Sequence, residues 1–149
     1  MKVSARDEYA CFAVLELALH YDPDVPIRVQ QIAERQNIPA KFLFQIMQVL
    51  KRVDLVRSKR GTDGGYVLAR PPEEITVGDV IRAVSGPFVQ LTCLESGDFA
   101  DPCEREATCQ FKPVWAEVDR AIASVLNGVT FGELVRQVRQ RQKQVMYYI

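Results

Sequence analysis

The sequence predicts a mainly α protein with a small β wing: a winged helix-turn-helix followed by a long C-terminal helix. Three observations carry this prediction. Two amphipathic helical patterns flank Asn37-Ile38-Pro39, a basic glycine-rich hairpin follows them, and apolar residues repeat at helical spacing from Val114 to Leu126. With 149 residues, 48% of them hydrophobic, the chain can bury one good core but not two large ones.

The first helix is predicted from about Ser4, its N-cap, to His20, with Ala10, Val14, Leu17 and Ala18 on a broad apolar face. Asp22-Pro23-Asp24 and Pro26 stop it. A short helix from Val29 to Gln36 turns Ile32 and Ala33 inward, and the Asn37-Ile38-Pro39 turn leads into a third helix from Ala40 to about Val53. There Leu43, Ile46, Met47 and Leu50 fall on one side, with Lys41, Gln45, Gln48 and Arg52 on the other. Two β-prone runs, Leu55–Lys59 and Tyr66–Ala69, enclose Arg60-Gly61-Thr62-Asp63-Gly64-Gly65, whose glycines permit the positive φ of a hairpin tip.

Charge separates along the chain although the total is zero. From Arg28 to Arg70 nine bases face three acids, whereas from Pro71 to Gln110 eight acids face two bases. The basic half coincides with the winged helix, which points to a polyanion-binding surface. In such a fold the third helix enters the major groove of DNA and the hairpin lies along the backbone. Lys41 and Arg52 are placed to neutralise phosphates, Gln45 and Gln48 to pair with adenine, and Phe44 to touch a thymine methyl. Arg28, Lys59 and Arg60 complete the candidate DNA-binding set.

The acidic half holds Cys93, Cys103 and Cys109, in a stretch rich in Asp, Glu, Gly and Pro that reads as a loop. Thiolates so spaced suit iron-sulfur or zinc. Cys11 falls among the apolar residues of the first helix and reads as packing, and His20, at that helix's end, as a cap. No nucleophile and base pair or paired catalytic acids emerge, so an enzyme is not expected. Gly64-Gly65 lacks a following Gly-Lys-Ser/Thr, which argues against a nucleotide loop. No apolar run approaches the ~20 residues of a membrane span, and the amino end mixes acids into its apolar run, so a cytoplasmic protein is expected.

Several segments together resemble the bacterial Rrf-type winged-helix transcriptional regulators, the IscR/NsrR-like family. They are Met1-Lys2-Val3-Ser4 leading to Tyr9-Ala10, the wing from Arg60-Gly61 to Leu68, Ile75 to Ile81, Cys103, Cys109 and Trp115, and Thr130-Phe131-Gly132-Glu133-Leu134. The resemblance implies a homodimer on a palindromic double-stranded operator, with Arg60 entering the minor groove and the helix from Pro113 to about Leu126 forming the dimer. It also implies an iron-sulfur cluster, 2Fe-2S or 4Fe-4S, on Cys93, Cys103 and Cys109. Nine residues separate Cys93 from Cys103, more than the family pattern has, so the loop carries an insertion. Where IscR-like members have a histidine after the last cysteine this chain has Lys112; NsrR-like members use a carboxylate of the first helix, which points here to Glu8 or Asp7.

The expected organisation is therefore a winged helix over 1–85, a cysteine-containing sensor loop over 86–112, and a dimerisation helix with a C-terminal helix over 113–149. A final helix begins at Thr130 and ends in the basic run Arg139, Arg141 and Lys143. Three alternatives stand beside the cluster: a cluster-free thiol/disulfide switch, a zinc-stabilised loop, and a protein-interaction module with incidental DNA affinity.

Overall fold

The structure, a computed structural model, describes residues 1–94, 103–105 and 107–148. The insertion expected between Cys93 and Cys103 falls on 95–102, outside the described residues. Helix α1 spans Ala5–Leu19 and starts on the predicted cap: the Asp7 amide donates to Ser4 Oγ, and the Ser4 amide donates to the Asp7 carboxylate at 2.8 Å. This reciprocal capping box satisfies amides that the first turn leaves open. Ala10, Ala13, Val14, Leu17 and Ala18 form the buried face of α1.

Helix α2 (Val29–Gln36) ends where Asn37 takes the left-handed conformation, φ 51°. A short polar side chain tolerates that conformation. Buried Ile38 pins the turn, and α3 (Ala40–Arg52) buries the predicted Leu43, Ile46, Met47 and Leu50. The hairpin follows as strands β1 (Val56–Lys59) and β2 (Gly65–Leu68), antiparallel, with Val56 opposite Leu68 and Lys59 opposite Gly65. Its glycines do different work from one another. Gly61 takes a positive φ of 116°, whereas Gly65 lies so close to the Ile27 carbonyl that any Cβ would strike it. That approach lets Ile27 exchange two backbone hydrogen bonds with Tyr66, at 2.8 and 2.9 Å, and fastens the wing's base to the chain ahead of α2.

Beyond the wing, a short 3₁₀ turn at Pro72–Glu74 leads to α4 (Val77–Ser85). This helix is not among the predicted elements, although Thr76 and Asp79 form a capping box at its start. Helix α5 (Lys112–Asn127) agrees with the predicted apolar stripe, and α6 (Phe131–Tyr147) is capped by Thr130. Phe131 and Val135 of α6 enter the same core as α1, α3 and the wing. By contrast α5 has no fully buried residue, and Val114, Trp115, Val118 and Val125 are exposed. Among the described residues no helix is long and apolar enough to cross a membrane.

Among the described residues two carboxylates are buried in this core, both on α1. Glu16 accepts from Arg35 Nη1 at 2.9 Å and Gln36 Nε2 at 2.7 Å, tying α1 to the end of α2. His20, the C-cap of α1, sets Nδ1 3.2 Å from the Glu16 carbonyl, in keeping with its expected capping role. Asp7 gives one oxygen to Ser4 and the other to Ser85 Oγ of α4, at 2.5 Å. Burial alone raises the Asp7 pKa, but hydrogen bonds from Ser85 and Ser4 and the charge of Arg6 outweigh it and hold the carboxyl below its ordinary value. Asp79 is likewise held low: hydrogen bonds from Thr76 and the nearby Arg70 and Arg82 overcome its desolvation.

A carboxylate depressed on folding stabilises the native state above its unfolded pKa, and that contribution disappears as the pH falls through the folded value. Stability is therefore expected to decline below about pH 4. Asp7→Asn should cost about 1–2 kcal/mol at neutral pH and flatten the acid side of a melting-temperature profile. An unchanged acid limb would remove Asp7 from this account.

Candidate nucleic-acid interface

Helix geometry, at 100° per residue, sets Lys41, Gln45 and Arg52 along one outward ridge of α3, opposite the buried Leu50. Lys41 and Gln45 are exposed and have no hydrogen-bond or ion-pair partner among the described residues. Arg52 is exposed and turns Nε toward the Gln48 carbonyl at 3.4 Å. Phe44 stands at the margin of the ridge, 53% exposed although a large apolar side chain.

Gln48 is placed differently. It is half-buried, and its Nε2 donates to the Tyr66 hydroxyl at 2.9 Å, so its amide braces the wing against α3. Burial raises the Tyr66 pKa, an effect the hydrogen bond from Gln48 partly offsets, and the hydroxyl stays protonated at neutral pH. Arg28 also serves the wing: its guanidinium donates to the Thr62 carbonyl at 2.5 Å and lies 3.8 Å from Asp63. Lys59 reaches Asp24 at 3.4 Å, an exposed pair of small energetic weight. Arg60, next to Gly61 at the tip, is exposed and has no such partner among the described residues. Three cations and an amide thus face outward from the helix and the wing, while Arg28 and Gln48 brace that wing and Lys59 pairs only weakly with Asp24.

The cysteines form the second set of candidate residues. Cys93 lies in a single 3₁₀ turn, Thr92–Leu94, and Cys109 comes three residues before the first residue of α5. Cys93, Cys103 and Cys109 are half-buried free thiols, so the donor chemistry suits an iron-sulfur cluster. Their placement does not: among the described residues no three His, Cys, Asp or Glu side chains gather as a metal would require. Cys11 packs against the core, and burial, followed by the negative charge of Asp7, pushes its thiol up to about 11. A thiol so protonated is a weak ligand and nucleophile. Glu8 is exposed on α1, whereas both oxygens of Asp7 are engaged by Ser4 and Ser85.

Over residues 3–137 the chain matches the family described as "Rrf2: Iron-dependent Transcriptional regulator". The chain belongs to the Rrf2 family. It is 35% identical over 147 residues to the transcriptional regulator IscR of Aliivibrio salmonicida, covering 95% of this chain and 84% of that one. Among solved structures, IscR of T. potens superposes with a TM-score of 0.72 at 32% identity, over 95% of this chain and 91% of that one. CymR of B. subtilis, described as its global cysteine regulator, gives 0.71 at 31% identity, over 92% and 98%. As an Rrf2-family member the chain is a DNA-binding transcriptional regulator, and the family is not enzymatic.

The role of Gln48 could not be found by pattern, since a polar residue on the outward face of a recognition helix looks alike whether it reads a base or braces a wing. The Gln48–Tyr66 bond generates a direct test. In a double-mutant cycle of Gln48→Ala and Tyr66→Phe, urea unfolding should return a coupling of about 1 kcal/mol. Strict additivity would mean that the bond does not hold the wing.

Proposed function

We propose that this Rrf2-family regulator works as a homodimer on a palindromic operator, with α3 in the major groove and Arg60 in the minor groove. In this reading Cys93, Cys103 and Cys109 hold an iron-sulfur cluster whose state sets the affinity for DNA. The outward ridge of Lys41, Gln45 and Arg52, with Arg60 beyond it, carries the DNA assignment. Lys41 and Arg52 meet phosphates, Gln45 reads a base edge, and Phe44 supplies an apolar contact. Dimerisation is supported by the face of α5, where Val114, Trp115 and Val118 are left uncovered by their own chain. An apolar groove of about 410 Å³ beside it, between Phe12 and Leu15 of α1 and Leu134 of α6, offers a second copy somewhere to pack.

The donor type of the three half-buried thiols between α4 and α5 supports the cluster, whose binding would have to draw together side chains that stand apart in this structure. The exposed Glu8 of a second copy is a better fourth ligand than Asp7, whose oxygens are already engaged. A bound cluster, 2Fe-2S or 4Fe-4S, would supply a joint sensitive to oxidants, iron or nitric oxide. The chain's own part is to relay a change of spacing between Cys93 and Cys109 into α5, and so into the separation of two recognition helices. A second reading is favoured by the likeness to the cysteine regulator CymR. Here two thiols surrender two electrons and two protons to an oxidant such as a peroxide and close a disulfide.

Anaerobic purification decides between them. A brown protein with about equal iron and acid-labile sulfide, colourless as Cys103→Ala or Cys109→Ala, is the expected result. A protein that stays colourless after reconstitution, with a disulfide in its oxidised peptide map, would replace the cluster by the switch. Independently, Arg60→Ala and Gln45→Ala should weaken binding to the selected operator, by about 1–3 kcal/mol for the base contact, without lowering the melting temperature. Equal binding by both variants would refute the groove assignment.

A further inference from the structure

The exposed ridge of α3 has two flanks. On one, Gln48 joins α3 to the wing. On the other, the first two turns of α1 run beside α3, and Ala5, Arg6 and Tyr9 with Phe42, Gln45 and Ile46 enclose an open cleft of about 470 Å³. Gln45 belongs to both the ridge and the cleft, so a duplex seated on the ridge covers the cleft's mouth. The major groove is about 12 Å wide and an α-helix with its side chains nearly fills it, so the elements flanking α3 come against the sugar-phosphate walls. The wing supplies cations to one wall.

We propose that Arg6 supplies the cation to the other: it binds a backbone phosphate of the duplex, at a cleft whose remaining walls are largely apolar. Arg6 is exposed and has no ion pair within 4.0 Å among the described residues, unlike Arg35, Arg57, Arg70 and Arg82, each of which meets a carboxylate. Asp7, its neighbour in sequence, does not take this role from the phosphate, because both of its oxygens face inward to Ser4 and Ser85. Tyr9 and Phe42 of the same cleft offer carbon to the adjoining deoxyribose, and Phe42 is 57% exposed although a large apolar side chain. A guanidinium on such walls loses less hydration to a phosphate than a lysine would.

The inference rests on α3 lying in the groove, and its test separates the two. Affinity for a labelled random-sequence duplex would be measured by anisotropy over a series of salt concentrations. Removing one phosphate contact flattens the plot of log K against log salt by about 0.9 for each protein copy bound. Arg6→Ala and Arg6→Gln, the second retaining the helix's first turn and hydrogen-bonding capacity, should both show that flattening, with weaker binding at every sequence and a fold kept intact, its melting temperature lowered only by the lost charge beside Asp7. Unchanged affinity and slope in Arg6→Gln, alongside a clear loss in Arg60→Ala, would overturn the Arg6 contact and leave the groove assignment standing. Unchanged binding in both Arg6→Gln and Arg60→Ala would overturn the contact together with the groove assignment.

Discussion

Two carboxylates buried on a single helix constrain the placement of nearly everything else. A charge removed from water is tolerated only when its lone pairs are met, and Asp7 and Glu16 lie near opposite ends of α1 with different neighbours to meet them. Arg35 and Gln36 answer Glu16, fixing the end of α2 and hence the turn that launches α3. Ser85 answers Asp7, fixing the end of α4 and hence the start of the segment that leads to Cys93. The apolar face between them, with Ala10, Ala13 and Ala18 small enough for close approach, lets α2, α3, α4 and α6 all pack on the same helix. The winged helix and the start of the cysteine segment are thereby both tied to α1.

How legible this was in the sequence depends on the distance over which each feature is set. Helices α1, α2 and α3 were readable because the apolar spacing lies within the elements themselves and the stops, Pro26 and Asn37, lie close beside them in the chain. The wing was readable for its two β-prone runs, but the reason for Gly65 was not, since the Ile27 carbonyl it accommodates comes from far upstream. Helix α4 was legible in principle, since it carries its own start signal in Thr76 and Asp79. Gln48 on the outward face was legible as polar and not as a brace, because its partner Tyr66 is 18 positions away. Arg6 escaped for the same reason: nothing in the first helix states that its opening turn lies beside Gln45.

The cysteine segment marks a different kind of limit. Composition separates it cleanly from the basic winged helix, and the residue types name the chemistry it can do. What composition cannot supply is convergence. Three thiols spread over 17 residues of Asp-, Glu- and Gly-rich chain have no local rule that draws them together, and both IscR and CymR, which differ in name as regulators, superpose on the same framework.

Short tethers bracket that segment. Three residues before Cys93, the Gln90 side chain donates to the Ser85 carbonyl, and Val89 donates its amide to Asp119 of α5. Three residues after Cys109, α5 begins. Cys93 and Cys109 are therefore each only a few residues from a point fixed to a helix. Because Ser85 holds Asp7 as well as Gln90, the upstream tether ends on the turn of α1 that carries Arg6. The residues leading to Cys93 are thus joined to the opening turn of α1 through four residues of backbone and two hydrogen bonds, the second of them buried at Asp7.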